Sequence, residues 1–382
     1  MTAAGERDVE PGTQRRVEVF VCAGGGGVGK TTASAALALA LAWQGKNTLV
    51  VTVDPARRLA DAMETPIGSS PKRVPLPPEV KGALYALMPD PREAMRTFVE
   101  HLFEDEPAGM HRLFQNRIYA AMADAAAGVH ELVSVMLVVR AVQELPLDCV
   151  VVDTAPSRYA LDLVLYPGRL AALLEGKAVA WFGNLAQRAS EDDDTGEARE
   201  AGGMGSGVLA WGRKRVENAM GRVLSARAIT DVANLFLELA RVRERFAHLA
   251  REAEELLLGE TTKFVLVAAP TGAAAADLDY LARKLRKLKR GATAVILNRA
   301  DVAAPSWVDE VGNHASATPA LRDAIRQLEE ERSARTRAAD AMAAEIRRKL
   351  PLVRQLRLPT VAAEHPAAIV SALAEHLTEF GK

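Results

Sequence analysis

The sequence predicts an α/β fold built on a doubly wound, mostly parallel sheet, and three observations carry that reading. Short, uniformly apolar, β-branched segments recur along the chain, as strands covered on both faces require. Longer stretches with helical periodicity separate them. A glycine run joins the first such segment to the first helix, at the sheet edge where ligands bind in folds of this kind. In order, residues 1–16 read as a polar, flexible tail. The first strand is Val17 to Cys22, β-branched and aromatic, and it stops at Gly24-Gly25-Gly26-Gly27. A helix from about Thr31 to Gln44 follows, with Ala and Leu on nearly every side and Gly45 closing it. A helix that is apolar all round is buried. Further strands are Thr48 to Val53, Cys149 to Val152 running into Asp153, Lys263 to Ala268 and Ala292 to Leu297. Leu321 to Leu350 reads as one long helix crowded with Arg and Glu. Its narrow apolar stripe of Leu321, Ile325, Leu328, Met342, Ile346 and Leu350 suits a helix lying on the sheet with its outer face solvated.

One region breaks the alternation. Between Pro167 and about Gly259 no strand pattern appears, and three helical series run through Leu170–Leu185, Leu209–Leu224 and Val232–Leu249. Glu191-Asp192-Asp193-Asp194 and the Gly-rich residues after it mark a mobile loop over 189–207. The domain reading is therefore one α/β domain over 17–165 plus 260–382, with a helical insertion over 166–259.

Composition excludes several classes. Lys plus Arg number 48 and Asp plus Glu 49, a net charge of -1 that argues against a broad nucleic-acid-coating face. Two cysteines in 382 residues, Cys22 and Cys149, support neither a disulfide framework nor a cysteine-rich metal site, and a reducing cytoplasm is the expected compartment. No secretory signal is expected at the N-terminus, and the longest apolar run, Ala33 to Trp43, is far below the roughly 20 residues that span a bilayer. The seven histidines show no paired metal spacing.

Gly24 to Thr31 spells GGGGVGKT, the G-x-x-x-x-G-K-[ST] phosphate-binding (Walker A) pattern, placed between a strand and a helix. The glycines let backbone N–H groups turn inward around phosphates, and the helix start adds its positive dipole end. Gly24, Gly25, Gly26, Gly27, Val28, Gly29, Lys30, Thr31 and Thr32 are thus the expected ATP-binding segment of a P-loop NTPase. Lys30 supplies a point charge to the β- and γ-phosphates, and the Thr31 hydroxyl ligates Mg²⁺. Asp54, closing the second strand, is placed to reach a water near the γ-phosphate. Asp153, closing the CVVVD strand, is placed to hold Mg²⁺ through water.

GGGGVGKTT, TVDPARRLADAM and VVVDTAPSRYALDLV together resemble the ArsA-type anion-transporting ATPases, which include the arsenite-pump ATPase and the ATPases that guide tail-anchored membrane proteins. LYALMPDPREAM and NRIYAAMADAAAG look like bacterial members of that group. The resemblance covers most of the chain, from Val17 through Glu364. It implies a dimeric, nucleotide-driven switch in which Asp54 orients the attacking water and Asp153 supports Mg²⁺. It places Asn298, in AVILNRAD, and Pro359, in LRLPTVAAEHP, at the adenine. It also implies a hydrophobic protein partner at the helical insertion. Trp181, Phe182, Trp211, Met220, Leu235 and Phe236 either line such a groove or pack the insertion's own core, and amphipathic spacing favours the core.

The chain also departs from the family pattern. The family loop reads GKGGVGKT, and its first lysine reaches across a dimer to the partner's phosphates; here that position is Gly25. Arg57, Arg58 and Arg158 are the candidate replacements. The segment after DTAP, usually TGHTLR, reads Ser157-Arg158-Tyr159-Ala160-Leu161-Asp162, and there is no CxxC for a zinc-clasped dimer. Three functions follow in order of preference: a Mg²⁺-dependent ATPase working as a dimeric switch, homodimer or heterodimer; a weakly hydrolysing regulatory subunit paired with a lysine-bearing paralogue; and a ParA- or MinD-like positioning ATPase. The last requires a basic DNA face or a membrane helix, and the ending AAIVSALAEHLTEFGK is a poor anchor, so no stable membrane insertion is expected.

Overall fold

The computed structural model describes residues 16–54, 58–125, 127–155, 226–301 and 318–380, together with Leu161, Leu165 and Gly168. The described residues fall into two compact units, one comprising 16–88, 142–155, 259–301 and 318–380, the other 89–141 and 226–258 with the three isolated residues.

The first unit holds an eight-stranded sheet. Its strands are β1 (Glu18–Gly24), β2 (Thr48–Thr52), β3 (Lys72–Val74), β4 (Leu84–Leu87), β5 (Cys149–Asp153), β6 (Thr262–Ala268), β7 (Ala292–Leu297) and β8 (Arg354–Arg357), in the order β3-β4-β2-β5-β1-β6-β7-β8. Every pairing is parallel except β3 with β4. β2 and β5 are buried at all five positions, as strands covered on both faces should be. The short antiparallel β3 exposes Lys72 and Arg73 at the sheet edge, a charged ending that discourages further strand pairing. Helix α1 (Lys30–Trp43) is buried over all but its Thr32 and Trp43 positions, as its uniform Ala/Leu composition predicts. The crossover from β1 to β2 runs one way across the sheet and that from β5 to β6 the other. The switch point therefore lies at the carboxyl ends of β1 and β5, where β1 places Cys22 beside Asp153.

Helices α2 (Arg58–Met63), α9 (Gly272–Lys287), α10 (Pro319–Lys349) and α11 (Pro366–Glu375) complete this unit. The long helix α10 differs in part from expectation. It starts at a Thr318 cap whose hydroxyl accepts from Leu321 N at 3.2 Å, and Ala339, Met342, Ala343 and Ile346 are buried. Leu321 and Leu328, read as part of the same stripe, are 45% and 61% exposed, so only the second half of the helix is packed. The interrupting arginines Arg332 and Arg335 are where the two halves part company.

The second unit is helical: α3 (Pro91–Leu102), α4 (Pro107–Gln115), α5 (Arg117–Ala125), most of α6 (Ala127–Glu144), α7 (Ala226–Arg241) and α8 (Arg243–Leu258). Asp90 caps α3 by accepting from Arg92 N and Glu93 N at 3.1 Å. Phe98 of α3 meets Phe246 of α8 edge-on at 6.0 Å, and Arg112 makes a two-pronged pair with the buried Glu238 at 2.6 and 3.0 Å. Residues 89–141, counted by sequence with the α/β domain, thus pack with the helices of the insertion. The acidic loop and the first two helical series of the insertion lie outside the described residues. Of the groove candidates, Leu235 is buried and Phe236 half-buried; Trp181, Phe182, Trp211 and Met220 are not among the described residues. No helix among the described residues is long and apolar enough to cross a membrane.

Candidate functional site

The glycine run lies between the end of β1 and the start of α1. Gly29 caps α1 at φ 81°, in the left-handed region where only glycine sits without cost, and no side chain caps the helix. The first N–H groups of α1 therefore face the loop with no acidic residue in the first turn, a ready anion site. Gly29 has a second reason to lack a side chain: a Cβ there would overlap the Asn298 amide nitrogen. That amide donates to Val28 O at 2.9 Å and ties the loop to the end of β7.

Three strand ends bring the acidic residues in. Thr52 and Cys22 both stand beside Asp153, and Val53 N donates to Asp153 O at 3.0 Å. The Asp153 carboxylate is fully buried and accepts from Thr31 Oγ1 at 2.7 Å, Thr52 Oγ1 at 3.1 Å and Ser34 Oγ at 3.4 Å. Burial pushes its pKa above the ordinary aspartate value, against the pull of Lys30 and the Thr31 and Thr52 hydrogen bonds. A carboxylate held so, in contact with the P-loop hydroxyl, is a hard-oxygen donor set suited to Mg²⁺. Asp54 is 8% exposed, takes a backbone bond from its own N–H to Thr52 Oγ1 at 3.2 Å, and pairs with Arg58 at 3.3 Å.

The P-loop opens on a cleft of about 440 Å³, a size suited to a nucleotide-sized ligand, although Asp54 and Asp153 are not among its lining residues. Lys30, Thr31 and Thr32 line it together with Arg58 and Asp61 of α2. Arg299, Pro366 and Ile369 also line it, and sequence reasoning did not single them out. Pro366 and Ile369 lie more than 330 residues from the P-loop, and the packing of α11 against α1 brings them to it. Pro359 follows β8, next to the end of β7, through Leu358 N to Leu297 O at 2.9 Å, but is not among the cleft-lining residues. Asn298 likewise appears as a clamp on the loop. Gly25 lines the cleft, and a Cβ there would run into Asp277 of α9, coming within 3.2 Å of its Cγ. Arg57 and Arg158 lie outside the described residues, leaving Arg58 as the candidate replacement cation the structure places at the cleft.

The two cysteines are core thiols. Both are buried in strands, and burial pushes each pKa up to about 12, far from a reactive thiolate. No group of three or more His, Cys, Asp or Glu suited to a metal occurs among the described residues.

Comparison with known proteins agrees with this geometry. Residues 17–201 match the family model of the anion-transporting ATPases, ArsA_ATPase. The chain is 26% identical over 262 residues to an ATPase ASNA1 homolog of Trypanosoma cruzi, covering 66% of this chain and 63% of that protein. It is 32% identical over 144 residues to the ATPase get3 of Schizosaccharomyces japonicus, covering 37% of this chain and 40% of that one. With an ATPase ASNA1 homolog of Entamoeba dispar it shares 30% over 137 residues, 34% of this chain and 39% of the relative. The matches thus span less than two thirds of each relative's length. The match over residues 17–201, just under half of the chain, is thus a similarity to the ArsA-type anion-transporting ATPases, and it falls on the P-loop and the three convergent strand ends of the sheet.

Proposed function

We propose that the protein is a Mg²⁺-dependent, ATP-binding and ATP-hydrolysing switch that works as a dimer. The observation that carries the reading is the Thr31–Asp153 contact at 2.7 Å at the mouth of an uncapped P-loop helix. Lys30, 5% exposed, is a nearly desolvated cation and so acts strongly on β- and γ-phosphate oxygens. Thr31, whose hydroxyl donates to Asp153, and Asp153 itself would hold Mg²⁺, Asp153 through water. Bound Mg²⁺ would neutralise charge developing on the phosphates. Asp54 orients the attacking water and accepts its proton, with Arg58 fixing the carboxylate. Asn298 keeps the loop in register from the neighbouring strand end. A hydrophobic partner at the helical insertion and a cytoplasmic address belong to the same proposal and rest on the family likeness.

A second reading has one observation in its favour. At Gly25, the space a side chain would need is taken by the Asp277 carboxylate, so this chain presents an acid where the family pattern has a lysine. That suits a weakly hydrolysing partner whose site is completed by a lysine-bearing paralogue, as a heterodimer. Asp54→Asn tests the leading reading. Nucleotide affinity should stay within about twofold, while turnover falls on the order of 10²-fold or more, the range expected for losing a positioned base. A mutant that turns over like the wild type removes Asp54 from the mechanism.

A further inference from the structure

The ILNRAD segment closing β7 is locked on both sides of a single exposed residue. Asn298 N donates to Ala268 O at 2.8 Å and its side chain to Val28 O at 2.9 Å. Ala300 N donates to Leu358 O at 2.9 Å, and the Asp301 carboxylate takes Thr360 N at 2.8 Å and Arg335 at 3.1 Å. Asn298, Ala300 and Asp301 are all buried, while Arg299 between them is exposed and lines the P-loop cleft. Its φ is 54°, a left-handed conformation that a glycine would adopt at no steric cost. A long charged residue in a strained conformation, facing a ligand cleft, points from the outlier to a task for its side chain.

Phosphate chemistry in the cleft is already accounted for by Lys30, Thr31 and the α1 N–H groups. What remains of a nucleoside triphosphate is the sugar and a flat base. Asn298 spends one amide N–H on Val28 O, and neither it nor Pro359 is among the cleft-lining residues. Arg299, Pro366 and Ile369 offer one planar cation and two apolar surfaces in that same cleft. We propose that Arg299 is a specificity-determining residue of the site: its guanidinium stacks on the nucleobase, and Pro366 and Ile369 form the apolar flank. Guanidinium planes stack on bases through dispersion and cation–π attraction, which an ammonium group reproduces poorly.

The proposal rests on the nucleotide reading, and the test separates the two. Mg-ATP and Mg-tripolyphosphate are titrated calorimetrically into the full chain as wild type, Arg299→Ala, Arg299→Lys and Arg299→Gly. Arg299→Ala and Arg299→Lys should each lose roughly tenfold in ATP affinity, what one stacking contact on a base is worth, with tripolyphosphate affinity unchanged. Arg299→Gly should lose ATP affinity equally while melting no lower than the wild type, because glycine relieves the backbone. Full ATP affinity in Arg299→Lys, or an equal loss for tripolyphosphate, makes Arg299 a phosphate contact and overturns the stacking role. A wild type that binds tripolyphosphate but loses nothing on Arg299→Ala overturns this proposal alone. A wild type that binds neither ligand overturns the nucleotide reading and the proposal with it.

Discussion

Replacing Gly25 by lysine tests whether the missing family cation limits this chain. The structure sets the cost. A Cβ at position 25 comes within 3.2 Å of Asp277 Cγ, with the Asp277 carboxylate oxygen closer still. The obstacle is the far end of a half-buried side chain, so it yields by rotation, at about 0.5–1.5 kcal/mol if it leaves its preferred rotamer. The new ammonium beside Asp277 returns up to about 1 kcal/mol as a partly exposed pair. Folding stability should therefore change by no more than about 1 kcal/mol, and turnover can be read without a folding artefact. If the active form is a dimer lacking a cation across the interface, adding one should raise turnover toward the 10³-fold or greater effect of a transferred cation. Gly25→Ala, which meets Asp277 without adding charge, should not. Steady-state phosphate release for wild type, Gly25→Lys, Gly25→Ala and Arg58→Ala decides the matter. A wild type turning over at about 1 s⁻¹ or faster, collapsing in Arg58→Ala and indifferent to Gly25→Lys, refutes the reasoning and makes Arg58 the working cation.

Two further substitutions have signs fixed by burial and pH. Because the Asp153 carboxyl is raised above its ordinary value of 3.8, its ionisation destabilises the nucleotide-free fold as pH rises through the folded pKa. Asp153→Asn should then be as stable as the wild type at pH 7, or about 1 kcal/mol more so, yet lose Mg²⁺ dependence in nucleotide binding; the stability difference should shrink toward pH 3 in denaturant melts. Glu18 shows the opposite sign. Burial pushes its carboxyl up, but hydrogen bonds from Lys263 and from Lys46 at 2.8 Å outweigh that and hold it below the ordinary 4.5. Its stabilisation is present above pH 4.5 and lost as pH falls through the lower folded value, so Glu18→Gln should cost about 1 kcal/mol at neutral pH and little in acid. A gap that does not narrow on acidification contradicts the assignment.

Much of the phosphate end was legible because it is local. A β-branched strand, glycines and Lys-Thr occur within fifteen residues, and α1 announces its burial through unbroken Ala and Leu. Asp54 and Asp153 were legible as strand endings, since a parallel sheet gathers such endings at one edge. The rest depended on long-range packing. β3 and β8 are three and four residues long and carry charges, so no alternation marks them. Thr52 and Ser34 bind Asp153 from positions that read as ordinary strand and helix residues. Asn298 stands at the strand end that the family likeness pointed to, but its bond to Val28 was not legible, since it exists only because Gly29 lacks a side chain. Residues 89–141 have the periodicity of any surface helix, and nothing local says that they pack with α7 and α8. The stripe on α10 was real only from Ala339 onward, where a neighbouring surface exists to receive it.

The central claim is that the Gly24–Thr32 loop binds Mg-ATP through Lys30. Calorimetric titration of Mg-ATP into the wild type and Lys30→Ala, with melting curves for both, tests it most directly. Lys30 lines the cleft but also neighbours the buried Asp153 carboxyl, so the variant should unfold in one cooperative transition at or somewhat below that of the wild type. Its heat of binding should disappear into the noise, because no other loop side chain supplies a fixed positive charge at the phosphates. Equal affinity in the two proteins would contradict the account.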